Sequence, residues 1–246
     1  MTKSPEQLLA LPIGSATVGQ NLRRAVETGR LTENADGTFA RAAAPKENPN
    51  WVFVTKGPPL GCDFLMHFMF DHAYAEAAVP HGCGACYKVK AVLRTLRELV
   101  AAWEVAKGIQ CRSKWGTDLN NPFSQNVYAG YFYVAGLDAA RALHKVVREA
   151  FAKDPKLGPD IALSIKRGCS EYEAAVGPSE RYAFTPEMAE LEAYLKSRFR
   201  ERKADHHPSM VIANWIETAF RLGDDTYLDF TGGTRLREMT LTYDPG

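Results

Sequence analysis

Residues 83–99 read CGACYKVKAVLRTLREL, and this stretch decides the fold. Tyr87-Lys88-Val89-Lys90-Ala91 alternates in polarity, the period of a half-buried strand. Thr95-Leu96-Arg97-Glu98 then carries the capping-box pattern that opens a helix, which Gly108 would close. Against this, Val89, Val92, Leu96, Leu99 and Trp103 also recur at helical spacing, so one unbroken helix from Gly84 competes. The alternation and the internal cap favour a strand followed by a helix.

The neighbouring segments extend that unit. Ile109–Trp115 and Tyr128–Val134 read as strands. Leu137–Ala152 is an amphipathic helix with Ala140, Leu143, Val147 and Phe151 on its apolar side. Ile161–Ile165 is a further strand. In order, residues 87 to 167 spell β-α-β-β-α-β, the ferredoxin-like pattern. Upstream, Ser4-Pro5-Glu6 opens a short helix, and Ser15 opens a second that runs through Glu27. Asp36-Gly37 marks a hairpin turn and Ala44–Asn50 a loop. Trp51–Val54 is a short strand, and Phe64–Ala78 reads as a helix. Downstream, Thr185-Pro186 opens a helix to about Arg202. His206-His207-Pro208 leads into another through Leu222. Short strands are expected around Tyr227–Phe230 and Leu236–Tyr243, with Asn120-Asn121-Pro122 as a loop further back.

The expected fold is α+β, a ferredoxin-like βαββαβ core with N- and C-terminal helical extensions in a single domain over residues 1–246. Residues 1–50 form a helical arm with too few large apolar side chains for a core of its own. Residues 51–203 hold the cysteine-bearing core, and residues 204–246 a helix and strand extension.

Composition narrows the function. Lys+Arg 30 against Asp+Glu 29 excludes a polyanion binder that works by bulk charge, so no nucleic-acid role is expected. No run approaches the roughly 20 apolar residues that span a bilayer, and the N-terminus lacks the pattern of a secretory signal. A cytoplasmic location is the expectation, with no membrane partner.

The cysteines Cys62, Cys83, Cys86, Cys111 and Cys169 are odd in number, and the close Cys83/Cys86 pair does not suit a disulfide framework. In a reducing compartment such thiols point to metal or redox chemistry. In the ferredoxin-like order 4-1-3-2, Cys83 and Cys86 precede strand one and Cys169 follows strand four. Those strands are neighbours, about 4.8 Å apart. Cys111 sits at the same end but two strands away, about 10 Å, so Cys62 in its Gly61-Cys62-Asp63 loop competes as the fourth ligand.

A C-x-x-C loop with further thiols points first to an iron–sulfur cluster, one [4Fe-4S] on Cys83, Cys86 and Cys169 plus Cys111 or Cys62. The chain would then be a redox enzyme or enzyme subunit. Its partner would be a redox protein or a small anionic substrate, which could meet an open iron if only three thiolates bind. Arg112, Lys114 and Arg167 are the cations placed to hold that anion, and Glu171, beside Cys169, is the carboxylate for acid–base work. Lys88 and Lys90 read as solvent-facing strand positions. Two alternatives stand: a structural zinc site aided by His81, and a dithiol oxidoreductase using Cys83 and Cys86. His67 and His72 are five apart and share no helix face, so they read as packed histidines.

Overall fold

The computed structural model describes residues 3–42, 50–119, 126–201 and 207–237. Residues 44–49 of the loop expected at Ala44–Asn50, the loop at Asn120–Pro122, His206, and most of the strand expected at Leu236–Tyr243 lie outside these residues.

The chain opens with α1 (Pro5–Leu9), the two-residue strands β1 (Pro12–Ile13) and β2 (Ala16–Thr17), α2 (Val18–Glu27), and a hairpin of β3 (Leu31–Glu33) and β4 (Phe39–Arg41). β5 (Trp51–Val54) follows, then α3 (Cys62–Phe64), which continues as a π-helix over Leu65–Ala73. A 3-10 turn (His81–Cys83) leads to β6 (Cys86–Leu93), α4 (Leu96–Gly108), β7 (Ser113–Thr117), β8 (Tyr128–Ala135), α5 (Leu137–Lys153) and β9 (Ala162–Arg167). Last come α6 (Ser170–Val176), α7 (Pro186–Ser197), β10 (Phe199–Arg200), α8 (Pro208–Leu222) and a 3-10 turn at Asp225–Phe230. The protein is a mixed α+β chain, with three sheets among the described residues.

The deciding stretch is a strand and then a helix. Thr95 has extended backbone (φ −137°, ψ 160°), which breaks any helix there, and its hydroxyl accepts from the Glu98 N–H at 3.2 Å. The other half of the expected capping box is redirected. The Glu98 carboxylate accepts from the Arg94 N–H at 2.7 Å and from the Arg94 guanidinium. In β6 the alternation sends Val89, Ala91 and Leu93 to one face, all buried.

The main sheet has the order β5-β7-β8-β6-β9, with every neighbouring pair antiparallel. One face buries Val89, Ala91, Leu93, Trp115 and Phe132 against α4, α5 and α8. Gly130 is required there. A Cβ at this position would meet the Trp115 ring at 2.0 Å, so the indole lies directly on the glycine backbone. The opposite face carries Lys88, Lys90, Lys114, Tyr131 and Tyr133 in register on β6, β7 and β8.

A second core joins the N-terminal segment to later elements. Leu8, Val18 and Leu22 pack with Phe64, Phe68 and Met69, and with Leu191, Leu195 and Phe199. β4 pairs with both β3 and β10. A small third cluster of Phe70, Val79 and Tyr172 lies beneath Cys83 and Cys169.

Several expected elements differ. The strand after α4 begins at Ser113 rather than Ile109. The Thr185-capped helix ends at Ser197, and Phe199–Arg200 turns into an edge strand. Tyr227–Phe230 forms a 3-10 turn and no strand, because the Asp224 carboxylate accepts from the Thr226 N–H and starts a turn there. The helix expected at Phe64 starts at Cys62 and continues with π geometry. α6 was not foreseen; no side chain caps it.

Candidate functional site

The Cys83–Cys86 loop is held from three sides. The Glu192 carboxylate on α7 accepts from the backbone N–H of His81 at 2.5 Å and of Gly82 at 2.8 Å, and from the Tyr74 hydroxyl at 3.0 Å. The Arg167 guanidinium donates to the Gly84 carbonyl at 2.9 and 3.3 Å and to the Ser179 carbonyl at 3.2 Å. The Gly136 N–H donates to the Ala85 carbonyl at 2.8 Å. Cys169 is brought to the loop by the β6–β9 pairing, which continues past Arg167 as a bond from the Gly168 N–H to the Cys86 carbonyl, 2.9 Å. Gly168 (φ 65°) turns the chain there, and Cys169 becomes the N-cap of α6. Cys62 opens α3 after Gly61 (φ 62°), and the Arg41–Asp63 ion pair at 2.6 Å fixes that loop.

Four thiols form one electrostatic group. Charge on Cys169 acts on Cys62, Cys83 and Cys86, and Cys62 acts on both Cys83 and Cys86. They come from three separate parts of the chain. Cys111 stands apart. Its thiol lies in the main core and donates to the Tyr133 carbonyl at 3.3 Å, and no other cysteine contributes to its raised pKa, which burial causes. Of the two candidates for a fourth thiol, the fold brings Cys62 to the group. Among the described residues no three His, Cys, Asp or Glu side chains are drawn together tightly enough to hold a metal ion.

Burial raises three of these thiols, Cys62, Cys83 and Cys86. It pushes Cys86 up to about 11, against the pull of Lys88, and raises Cys83 further, even though the Tyr172 hydroxyl bonds its sulfur at 3.2 Å. Cys62 is solvent-exposed, yet dense surroundings on its inner side raise its thiol too. Lys88 was expected in solvent. It is buried, 8% exposed, and its ammonium donates to the Cys169 sulfur at 3.0 Å. Burial opposes the Lys88 charge, but the charges of Cys169 and Tyr133 outweigh it and raise the pKa.

A lysine and aromatic cleft adjoins the thiols. The Lys88, Lys90 and Lys114 ammoniums lie 5.9, 5.9 and 5.1 Å from the centre of the Tyr131 ring. Lys114 also stands 4.1 Å from the Trp51 ring centre. Its pKa is lowered, by burial first and by Lys88 second.

The other expected residues fall as follows. Lys114 faces the cleft, and Glu171 acts on both Lys114 and Tyr131 from the start of α6. Arg167 is spent on the Gly84 and Ser179 carbonyls and so shapes the cysteine loop. Arg112 donates to the Pro58 carbonyl at 3.0 Å, tying down the loop before Cys62, and its charge still reaches the Cys62 thiol. The His81 ring stands edge-on to Phe184, with its centre 6.1 Å from that ring's.

Two residues of the site were missed in the sequence, and each had a signal there. Lys88 shares strand parity with Cys86, so an inward Cys86 implies an inward Lys88. Glu192 lies on the stripe Met188, Leu191, Glu192, Leu195, all buried, where a carboxylate needs donors. Comparison with protein-family models, with curated proteins and with solved structures gives no match.

Proposed function

We propose that this chain is an iron–sulfur protein holding one [4Fe-4S] cluster on Cys62, Cys83, Cys86 and Cys169. It acts in redox chemistry as a cytoplasmic enzyme or enzyme subunit. The observation that carries this is the mutual electrostatic influence of these four thiols, with Cys86 and Cys169 joined through the β6–β9 pairing, while Cys111 is sequestered in the core.

The donor set suits the group. Four thiolates are the common ligation of a cubane. Thiolates around iron carry net negative charge. Lys88 on the Cys169 sulfur, with Lys114 behind it, would offset that charge and raise the reduction potential. The cluster would supply one-electron transfer. The chain's own residues hold the loop (Glu192, Arg167), neutralise charge (Lys88) and pack Tyr172 against Cys83.

The finer fold belongs to the same proposal. The order β9-β6-β8-β7 with α4 and α5 as crossovers supports a ferredoxin-like βαββαβ unit, to which β5 adds an edge strand. A dithiol oxidoreductase lacks support, since its nucleophile needs a lowered pKa and burial raises both Cys83 and Cys86.

The test is a panel of five Cys→Ala variants purified without oxygen. Cluster absorbance is expected to be lost or severely reduced in the Cys62, Cys83, Cys86 and Cys169 variants and kept in Cys111→Ala. Full cluster content in Cys83→Ala would overturn the proposal.

A further inference from the structure

We infer that the cleft floored by Tyr131 binds a small oxyanion carrying two or more negative charges. This deepens the proposed cluster site by naming the ligand beside it, but the lysines that carry it would hold an anion with or without iron.

Three ammoniums from the two strands that flank β8 lie around its Tyr131 ring, Lys88 and Lys90 from β6 and Lys114 from β7. Lys88 is engaged by the Cys169 sulfur. Among the described residues no carboxylate lies within ion-pair distance of Lys90 or Lys114. The charged groups facing them are few. Asp118 accepts from the Tyr131 hydroxyl at 3.3 Å, Glu171 lies further off, and Lys166 is tied to Glu173 at 3.0 Å and to Ser170.

A lysine stem that only covers apolar surface sends its ammonium outward to water. Here the tips gather over an aromatic ring in a half-buried recess, where like charges repel and desolvation is unfavourable. Lys88 disfavours the charge on Lys114, and Lys166 that on Lys90, while Asp118 offsets part of both effects. An anion placed among them removes both penalties. Ammoniums are compact donors with three N–H groups each, suited to phosphate or carboxylate oxygens. Trp51 and Tyr131 pack beside the lysines, with ring centres 5.9 Å apart and planes tilted 53°.

The experiment is calorimetric titration of the purified full chain with pyrophosphate and with citrate at low ionic strength. It is repeated on Lys90→Gln, Lys114→Gln, Cys83→Ala and the surface control Lys107→Gln. Saturable binding of at least one anion is expected, weakened about tenfold by each cleft substitution, the worth of one charge-assisted hydrogen bond, and unchanged in Lys107→Gln. Cys83→Ala should bind the anion as well as the parent does, so failure of the cluster reading leaves this result standing. Pyrophosphate against citrate separates phosphate from carboxylate ligands. If Lys114→Gln does not fold, Lys90→Gln carries the test. The inference is overturned if neither anion binds saturably or if both cleft variants bind like the parent.

Discussion

Lys88 and Glu192 share a condition that decides much about this molecule: each is a charged group held among buried side chains by specific partners. Glu192 accepts three hydrogen bonds, and two of them come from the loop that carries Cys83. Glu192→Ala leaves those two N–H groups and the Tyr74 hydroxyl without their acceptor. The expected loss of stability is about 3 kcal/mol. A urea midpoint measures it, and iron content after reconstitution should fall with it. Gly130→Ala tests packing instead. Its Cβ would sit 2.0 Å from the Trp115 ring, and neither the strand nor the indole has room to give. A loss of about 3 kcal/mol or more is expected, with a matching drop in Tm; a variant as stable as the parent would show that the indole can move. Neither effect is legible from residue type alone. A glycine in YAGYFYVA reads as a weak strand position until the facing tryptophan is known. Glu192 reads as a surface residue until its helix stripe is drawn.

At the scale of elements, much of the order was legible because caps and alternation are local. Thr95, Thr185 and Ser4 each start a helix where their hydroxyls meet an orphan N–H. The strand alternation of residues 87–91 outweighed a competing helical spacing because Thr95 interrupts that spacing. Seven-residue α6 was invisible, since no side chain caps it and its apolar residues are too few to show a period. Tyr227–Phe230 misled because its residues favour strands, whereas Asp224 imposes a turn. Asp224 also accepts from the Leu96 N–H at 2.7 Å and the Tyr128 hydroxyl at 2.9 Å, so it clips the last turn to α4 and β8. Burial opposes its charge, but these bonds and those from Thr226 outweigh it and hold the carboxyl below its usual 3.8. A depressed folded pKa contributes stability that is present above the unfolded value and lost as pH falls through the folded one. Asp224→Asn should therefore lower the urea midpoint at pH 7, by about 2 kcal/mol, and lower it much less at pH 2. An equal loss at both pH values would show that the charge is irrelevant.

Among the described residues, two main cores carry the molecule. One lies between the main sheet and α4, α5 and α8; the other joins α1 and α2 to the π-helix and α7. The small cluster of Phe70, Val79 and Tyr172 packs separately, against Cys83 and Cys169. Residues 1–50 were expected to lack a core of their own, and the structure has them share one with residues 64–74 and 188–199. That partnership is non-local and leaves no trace in sequence spacing. The grouping of Cys83, Cys86 and Cys169 could be foreseen from strand order, but the choice of Cys62 over Cys111 could not. It depends on how the loop after β5 folds back. A cluster bound at these cysteines would stabilise the fold, because a ligand that binds only the folded state adds its binding free energy to stability. Removing iron with a chelator should accordingly lower Tm in the parent and leave Cys83→Ala unchanged.

The most direct measurement is the amount of iron and acid-labile sulfide per chain in protein purified without oxygen. The account predicts about four of each, the content of one [4Fe-4S] cluster. Protein that accepts neither iron nor sulfide, even after anaerobic reconstitution, would contradict it.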